Sequence, residues 1–236
     1  KSSKTTSSVF FNPYYSRGVA TARDSWDYNF SKDALCRNIS EAISFYNAQR
    51  ILLSQGRIND VDRSSVRFSW NRGTLNDISK NKAYVFCPEN VIDALYRPFC
   101  KYKYFAYTPM NDMVYQIPKL FPAPNINNIA ICISSAGDNK GFDCLITNYV
   151  PDLHFTQTTQ CFPLYWYEER DSYSKSLFDD DTDTDKYVRR DGISDWILKE
   201  VRKRFGNSKA ITKEHIFYYV YGILHSPQYR ERFAAD

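Results

Sequence analysis

Three fixed positive charges and six aromatic rings fall within twelve residues, Tyr96-Arg97-Pro98-Phe99-Cys100-Lys101-Tyr102-Lys103-Tyr104-Phe105-Ala106-Tyr107. From Lys101 to Tyr104 the alternation is strict. In an extended chain Lys101 and Lys103 share one face, and Tyr102 and Tyr104 share the other. The aromatic face suits a core, and the ammonium face suits solvent or an anionic partner. Arg97 precedes a proline, which biases it toward extended backbone. Lysine as a point charge and arginine as a fork are the side chains that grip phosphate. The same pattern also fits a plain β-hairpin with solvated lysines and core tyrosines.

Other residues offer weaker chemistry. Val66-Arg67-Phe68-Ser69-Trp70-Asn71-Arg72-Gly73 reads as a strand that then turns, with Arg67, Ser69 and Asn71 on one face. Arg and Asn make bidentate contacts to guanine and adenine edges, so Arg67, Asn71 and Arg72 are candidate base readers. Arg17 and Arg23 could touch phosphate if exposed; otherwise Arg23 joins Asp24 in a local ion-pair network. Lys140 lies in the turn Ala136-Gly137-Asp138-Asn139-Lys140-Gly141, where a phosphate contact is conceivable although the turn is no nucleotide-binding phosphate loop. Asn12-Pro13-Tyr14-Tyr15 is similar to the adenine-holding site of methyltransferases, but it lacks the second proline and a glycine-rich cofactor loop upstream. It reads as turn chemistry.

No catalytic or metal constellation emerges. Asp152-Leu153-His154 has no nucleophile partner and reads as a loop. The six cysteines form no C-x-x-C pair and the three histidines are scattered, so no zinc site is legible. Several cysteines sit in apolar runs and behave as small hydrophobes. The acidic run Asp179-Asp180-Asp181-Thr182-Asp183-Thr184-Asp185 lacks the glycine bend and distal glutamate of a calcium loop, and reads as a solvated linker.

The elements that position these residues follow from periodicity. The 236 residues are 43% hydrophobic and 17% aromatic, a globular composition for one large domain or two small ones. Net charge is +4, too mild to require a polyanion. It is unevenly spread, +5 over 1–165, −3 over 166–190 and +2 over 191–236. Ser31 or Asp33 caps a helix through about Leu53, with Leu35, Ile39, Ala42, Ile43 and Tyr46 on one face and Gly56 beyond its end. Residues 57–165 read as strands and loops. Ala83–Cys87 is an apolar strand, and 88–95 a turn with a short helix. The clearest hairpin pairs 127–135 with 142–149, and 161–167 closes the sheet. Helices follow from Gly192, with Thr212 capping one and Ser226-Pro227 starting another. The fold class is α+β, a mostly antiparallel β-rich core with an N-terminal helix and a C-terminal helical subdomain. The expected divisions are 1–29, 30–165, 166–190 and 191–236. Without a secretory signal or a long apolar span, the chain reads as cytoplasmic with free thiols and no membrane partner. It opens without an initiator Met and reads as a fragment of something longer.

Four blocks in order carry a more specific signal. They are Gly18-Val19-Ala20-Thr21-Ala22-Arg23-Asp24-Ser25-Trp26-Asp27-Tyr28-Asn29-Phe30-Ser31; Tyr96-Arg97-Pro98-Phe99 with Lys101 and Tyr104-Phe105; Gln160-Cys161-Phe162-Pro163-Leu164-Tyr165; and the stretch from Thr212 through Gly222-Ile223-Leu224-His225-Ser226-Pro227-Gln228-Tyr229-Arg230. Together they resemble the C-terminal part of single-chain type I (type ISP) restriction-modification enzymes. The resemblance spans nearly the whole chain, which stops just short of the family's usual end. It implies a target-recognition domain for double-stranded DNA, without catalysis of its own, following an adenine methyltransferase module to which 1–29 would be the lead-in. It implies partnership with the methyltransferase and helicase-like domains of the same polypeptide. S-adenosylmethionine, ATP and Mg would be used only by the full-length enzyme. Phosphate contacts are then expected from Arg17, Arg23, Arg97, Lys101, Lys103 and Lys140. The alternative is a coupling module that docks on the neighbouring domains without reading bases.

Overall fold

The computed structural model describes residues 9–12, 14–135, 141–170 and 186–233. In chain order they form β1 (Ser16–Arg17), α1 (Asp24–Asp27), β2 (Tyr28–Asn29), α2 (Lys32–Ser54), α3 (Arg72–Ser79), β3 (Val91–Arg97), β4 (Cys100–Phe105) and α4 (Ile117–Leu120). After these come β5 (Ala130–Ile133), β6 (Cys144–Thr147), β7 (Val150–Pro151), β8 (Gln160–Pro163), β9 (Tyr165–Glu169), β10 (Tyr187–Asp191), α5 (Asp195–Arg204), α6 (Lys213–Leu224) and α7 (Pro227–Arg232). The class is α+β, as expected. The chain divides into two compact units. One is Val19–Val114; the other joins the described residues up to Gly18 to those from Tyr115 onward. The sequence divisions were drawn at 30, 166 and 191 instead.

In the Val19–Val114 unit, α2 supplies the core. Ser31 Oγ accepts from the Ala34 N–H at 3.3 Å and starts the helix. Leu35, Ile39, Ala42, Ile43 and Tyr46 then form the buried stripe, packed with Phe68, Ile78, Tyr84, Val91, Phe105 and Met110. β4 lies between β2 and β3, antiparallel to both. Asp93 pairs with Lys103, Ala94 with Tyr102 and Leu95 with Lys101; after an irregularity, Arg97 pairs with Cys100 across the turn Pro98-Phe99.

Two strand expectations fail in this unit. Residues 83–87 join no ladder. The Asn47 side chain on α2 occupies the place of a neighbouring strand: its Nδ2 donates to Tyr84 O at 2.8 Å and its Oδ1 accepts from Tyr84 N at 3.1 Å. Residues 65–68 turn instead of extending, because Phe68 is drawn into the core and Asn71 starts α3.

In the other unit the sheet order is β1-β8-β5-β6, all antiparallel. The expected 127–135/142–149 hairpin is present as β5 and β6. Gly192 sits where backbone meets backbone; a Cβ there would lie 2.0 Å from Pro163 O. β9 and β10 pair as a two-stranded ribbon, so residues 166–169 and 187–190, expected to be linker, are strand. The acidic run itself lies outside the described residues. The three C-terminal helices form as expected. α6 seats Ile216 and Phe217 on Ile131, Cys144, Leu164 and Ile193, and its cap is a reciprocal pair. Thr212 Oγ1 accepts from His215 N and His215 Nδ1 accepts from Thr212 N. His215 is thus a capping residue.

Candidate nucleic-acid interface

The β3–β4 hairpin presents the expected two faces. Tyr104 is buried, with Tyr28 stacked on it at 5.1 Å; Tyr28 also meets Tyr96 at 4.8 Å, and Phe30 covers Tyr102 at 4.0 Å. These rings fix the hairpin to β2. Lys101 is exposed on the opposite face, across from Leu95. Lys103 is across from Asp93, and its Nζ lies 2.5 Å from the carboxylate. Acidic neighbours therefore temper the basic face, which composition did not reveal.

Arg97 is held in a defined pose. Its guanidinium donates to Tyr96 O at 2.6 Å, lies 3.8 Å from the Tyr96 ring centroid and is 3.7 Å from Asp24 Oδ2. Asp24 also accepts from Tyr96 Oη at 3.0 Å and from Thr21 Oγ1. Asp24 thus ties α1 to the hairpin, and its partner is Arg97 rather than the adjacent Arg23.

Arg23 is not a surface cation. It is 4% exposed, with its Cζ 5.6 Å from the Phe68 ring centroid and its Nη1 3.9 Å from Met110 Sδ. Its Nε and Nη2, and both carboxylate oxygens of the fully buried Asp27, have no hydrogen-bond partner. Burial lowers the Arg23 pKa and pushes Asp27 well above the usual carboxylate range; the Arg23 charge opposes the Asp27 shift only in part, and Asp24 adds to it. A phosphate contact from Arg23 is therefore corrected to an interior role, because the packing of Phe68 and Met110 closes over it.

Arg17 is exposed on β1, with its Cζ 6.0 Å from the Tyr115 ring centroid. Arg67 is exposed and lies over the Phe45 ring at 4.8 Å. Arg72 is exposed in the first turn of α3. The Asn71 side chain is engaged locally: Oδ1 accepts from Thr74 N at 2.9 Å, while Thr74 Oγ1 accepts from Asn71 N at 2.9 Å. Lys140 lies outside the described residues.

Asp152 and His154 form a loop. Asp152 Oδ1 accepts from His154 N at 2.8 Å, and His154 Nδ1 meets Gln157 O at 3.0 Å. All six cysteines are free thiols, and burial pushes Cys132 well above the usual thiol range. Among the described residues no three His, Cys, Asp or Glu side chains gather as a metal site, and no helix is long and apolar enough to cross a membrane.

The coupling alternative places Tyr96 and Phe99 in the core, and for Phe99 the structure overturns this. Phe99, in the hairpin turn, has φ +60° and is 91% exposed. Left-handed backbone costs a non-glycine residue about 1–2 kcal/mol. The available signal was the order Pro-Phe between two alternating strands, where a turn with proline second calls for Gly or Asn third.

No curated protein sequence matches the chain. Among solved structures, a DrdV–DNA complex studied by cryo-electron microscopy superposes with TM-score 0.82 at 30% identity, over 96% of this chain and 20% of that one. A nuclease-deletion mutant of the Type ISP restriction-modification enzyme LlaGI, in complex with a DNA substrate mimic, gives 0.76 at 27% identity, over 98% of this chain and 19% of that one. The ATP-dependent Type ISP restriction-modification enzyme LlaBIII, bound to DNA, gives 0.78 at 26% identity, over 99% and 14%. The chain thus spans a fifth or less of each of these proteins. The model of the Type ISP C-terminal specificity domain matches residues 9–236, and the chain belongs to that family.

Proposed function

We propose that the chain recognises target sequences in double-stranded DNA on behalf of a restriction-modification enzyme. The observation that carries this reading is the likeness, over 96–99% of the chain, to three proteins solved with DNA or a DNA mimic. The hairpin face with Lys101 and Arg97 supplies sequence-independent phosphate contacts. Arg67 and Arg72 are the exposed candidates for base edges. Nuclease, translocase and adenine methyltransferase chemistry, with S-adenosylmethionine, ATP and Mg, belongs in this reading to other modules of a longer cytoplasmic polypeptide.

The test is selection of binders from a randomised duplex pool at two salt concentrations. An enriched motif that survives the higher salt is expected. Binding without enrichment, lost as salt rises, overturns base reading and leaves only a phosphate grip.

A second reading, a coupling module that docks on neighbouring domains, draws on α6, whose Tyr218 and Tyr219 are 52% and 68% exposed on the side away from the core. Exchanging the domain between two family members separates the readings. If target sequence stays with the methyltransferase, the coupling role is the correct one.

A further inference from the structure

Phe99 is doubly out of place for a residue that serves only the fold. Its backbone lies in the left-handed region at φ +60°, and its ring is 91% exposed. Strained, exposed side chains of this kind persist where a site uses them. The support beneath the ring is stiff. Pro98 restricts the turn. Arg97 is pinned by Tyr96 O, the Tyr96 ring and Asp24. β4 is flanked by strands on both sides and fastened by the tyrosine cluster. The result is a braced arm with an exposed ring at its turn, and Arg97 and Lys101 stand two residues to either side of it.

Phe30, 72% exposed over Tyr102, is a further ring on the hairpin, but the ring at the turn itself stands between two cations, which a protein interface core disfavours. It matches the wedge by which DNA-binding proteins open a base step, one apolar side chain between bases with cations on the adjoining phosphates. We propose that Phe99 is such a wedge: it inserts into the base stack of the recognised duplex, unstacks one step and kinks the DNA there. Arg97 and Lys101 hold the phosphates on either side. The inference rests on the DNA-recognition reading and adds to it a residue, a mode of contact and a deformation of the duplex.

The test uses the full polypeptide that carries this chain, with duplexes bearing the fluorescent base 2-aminopurine at successive positions of the selected motif. Wild type is expected to raise fluorescence several-fold at one step, the signature of unstacking. Phe99→Ala and Phe99→Gly should abolish that rise while the same motif is still selected, and Phe99→Trp should keep it. Glycine adopts the left-handed backbone without strain, so Phe99→Gly should melt no lower than wild type, which separates loss of the wedge from loss of the fold. A rise that persists in both small variants overturns the wedge and leaves DNA recognition intact. Small variants that leave every position unchanged but expose new protease sites elsewhere in the polypeptide also overturn it, since the ring is then a domain contact. Failure of wild type to select any motif removes the underlying reading itself.

Discussion

Asp93 faces Lys103 directly across the β3–β4 ladder, with its carboxylate 2.5 Å from the ammonium and both side chains about a third exposed. Lys103 is thus held by a carboxylate of its own sheet. Lys101 is exposed and lies opposite Leu95 in the same ladder. Lys101→Ala is expected to flatten the dependence of log K on log salt by about one unit. Asp93→Asn, which releases the Lys103 ammonium from its carboxylate, should steepen it. Fluorescence anisotropy on one duplex across a salt series reads both. An unchanged slope in Asp93→Asn would remove the tempering role assigned to Asp93.

Burial of Asp27 predicts that stability falls as pH rises. Its folded-state pKa is raised by burial, so the folded protein holds a proton that the unfolded chain releases. This contribution is fully present below the ordinary carboxylate pKa and is lost as pH climbs from there through the folded value, by up to about 1.4 kcal/mol per pH unit. Asp27→Asn should flatten urea midpoints between pH 4 and 8, and its advantage over wild type should grow with pH. A variant that instead weakens steadily toward pH 8 would mean that attraction to Arg23 outweighs burial.

Asn71 is engaged as a helix cap, and bidentate reading of adenine needs both ends of its amide. Asn71→Ala is expected to cost about 1 kcal/mol in chemical denaturation, and Asn71→Ser only a fraction of that. The serine variant should select the same DNA motif. If it relaxes one base position, Asn71 leaves its cap on binding and is a reader after all.

Gly192 admits no side chain, because a Cβ would sit 2.0 Å from Pro163 O and 3.0 Å from Leu164 O. Gly192 N also donates to Leu164 O at 2.7 Å. Gly192→Ala should push β8 and β10 apart and cost about 1–3 kcal/mol, seen as a lower melting temperature. Wild-type melting would show that this backbone crossing is looser than its geometry.

Much of this architecture was legible because local rules and tertiary packing agree in it. Ser31 and Thr212 announce α2 and α6, and the Lys-Tyr alternation announces β4. Where local pattern and packing compete, the sequence misleads. Arg67 to Asn71 alternates like a strand, yet Phe68 is worth more in the core and Asn71 more as a cap. Arg23 is written like its exposed neighbours, and only the fold places Phe68 and Met110 around it. The Asp24–Arg97 pair joins residues far apart in the chain, which no local spacing could expose. Phe99 stayed hidden for a different reason: its meaning lies in the sign of one backbone angle.

The bond pair between Asn47 and Tyr84 bears on a hazard that precedes any encounter with DNA. Unpaired backbone in an apolar run such as 83–87, with Val85 exposed beside Tyr84, is the kind of segment through which sheets spread between molecules. Here a helix side chain fills both backbone hydrogen-bonding positions of Tyr84. Asn47→Ala is therefore expected to show first in the yield of soluble polypeptide rather than in target choice.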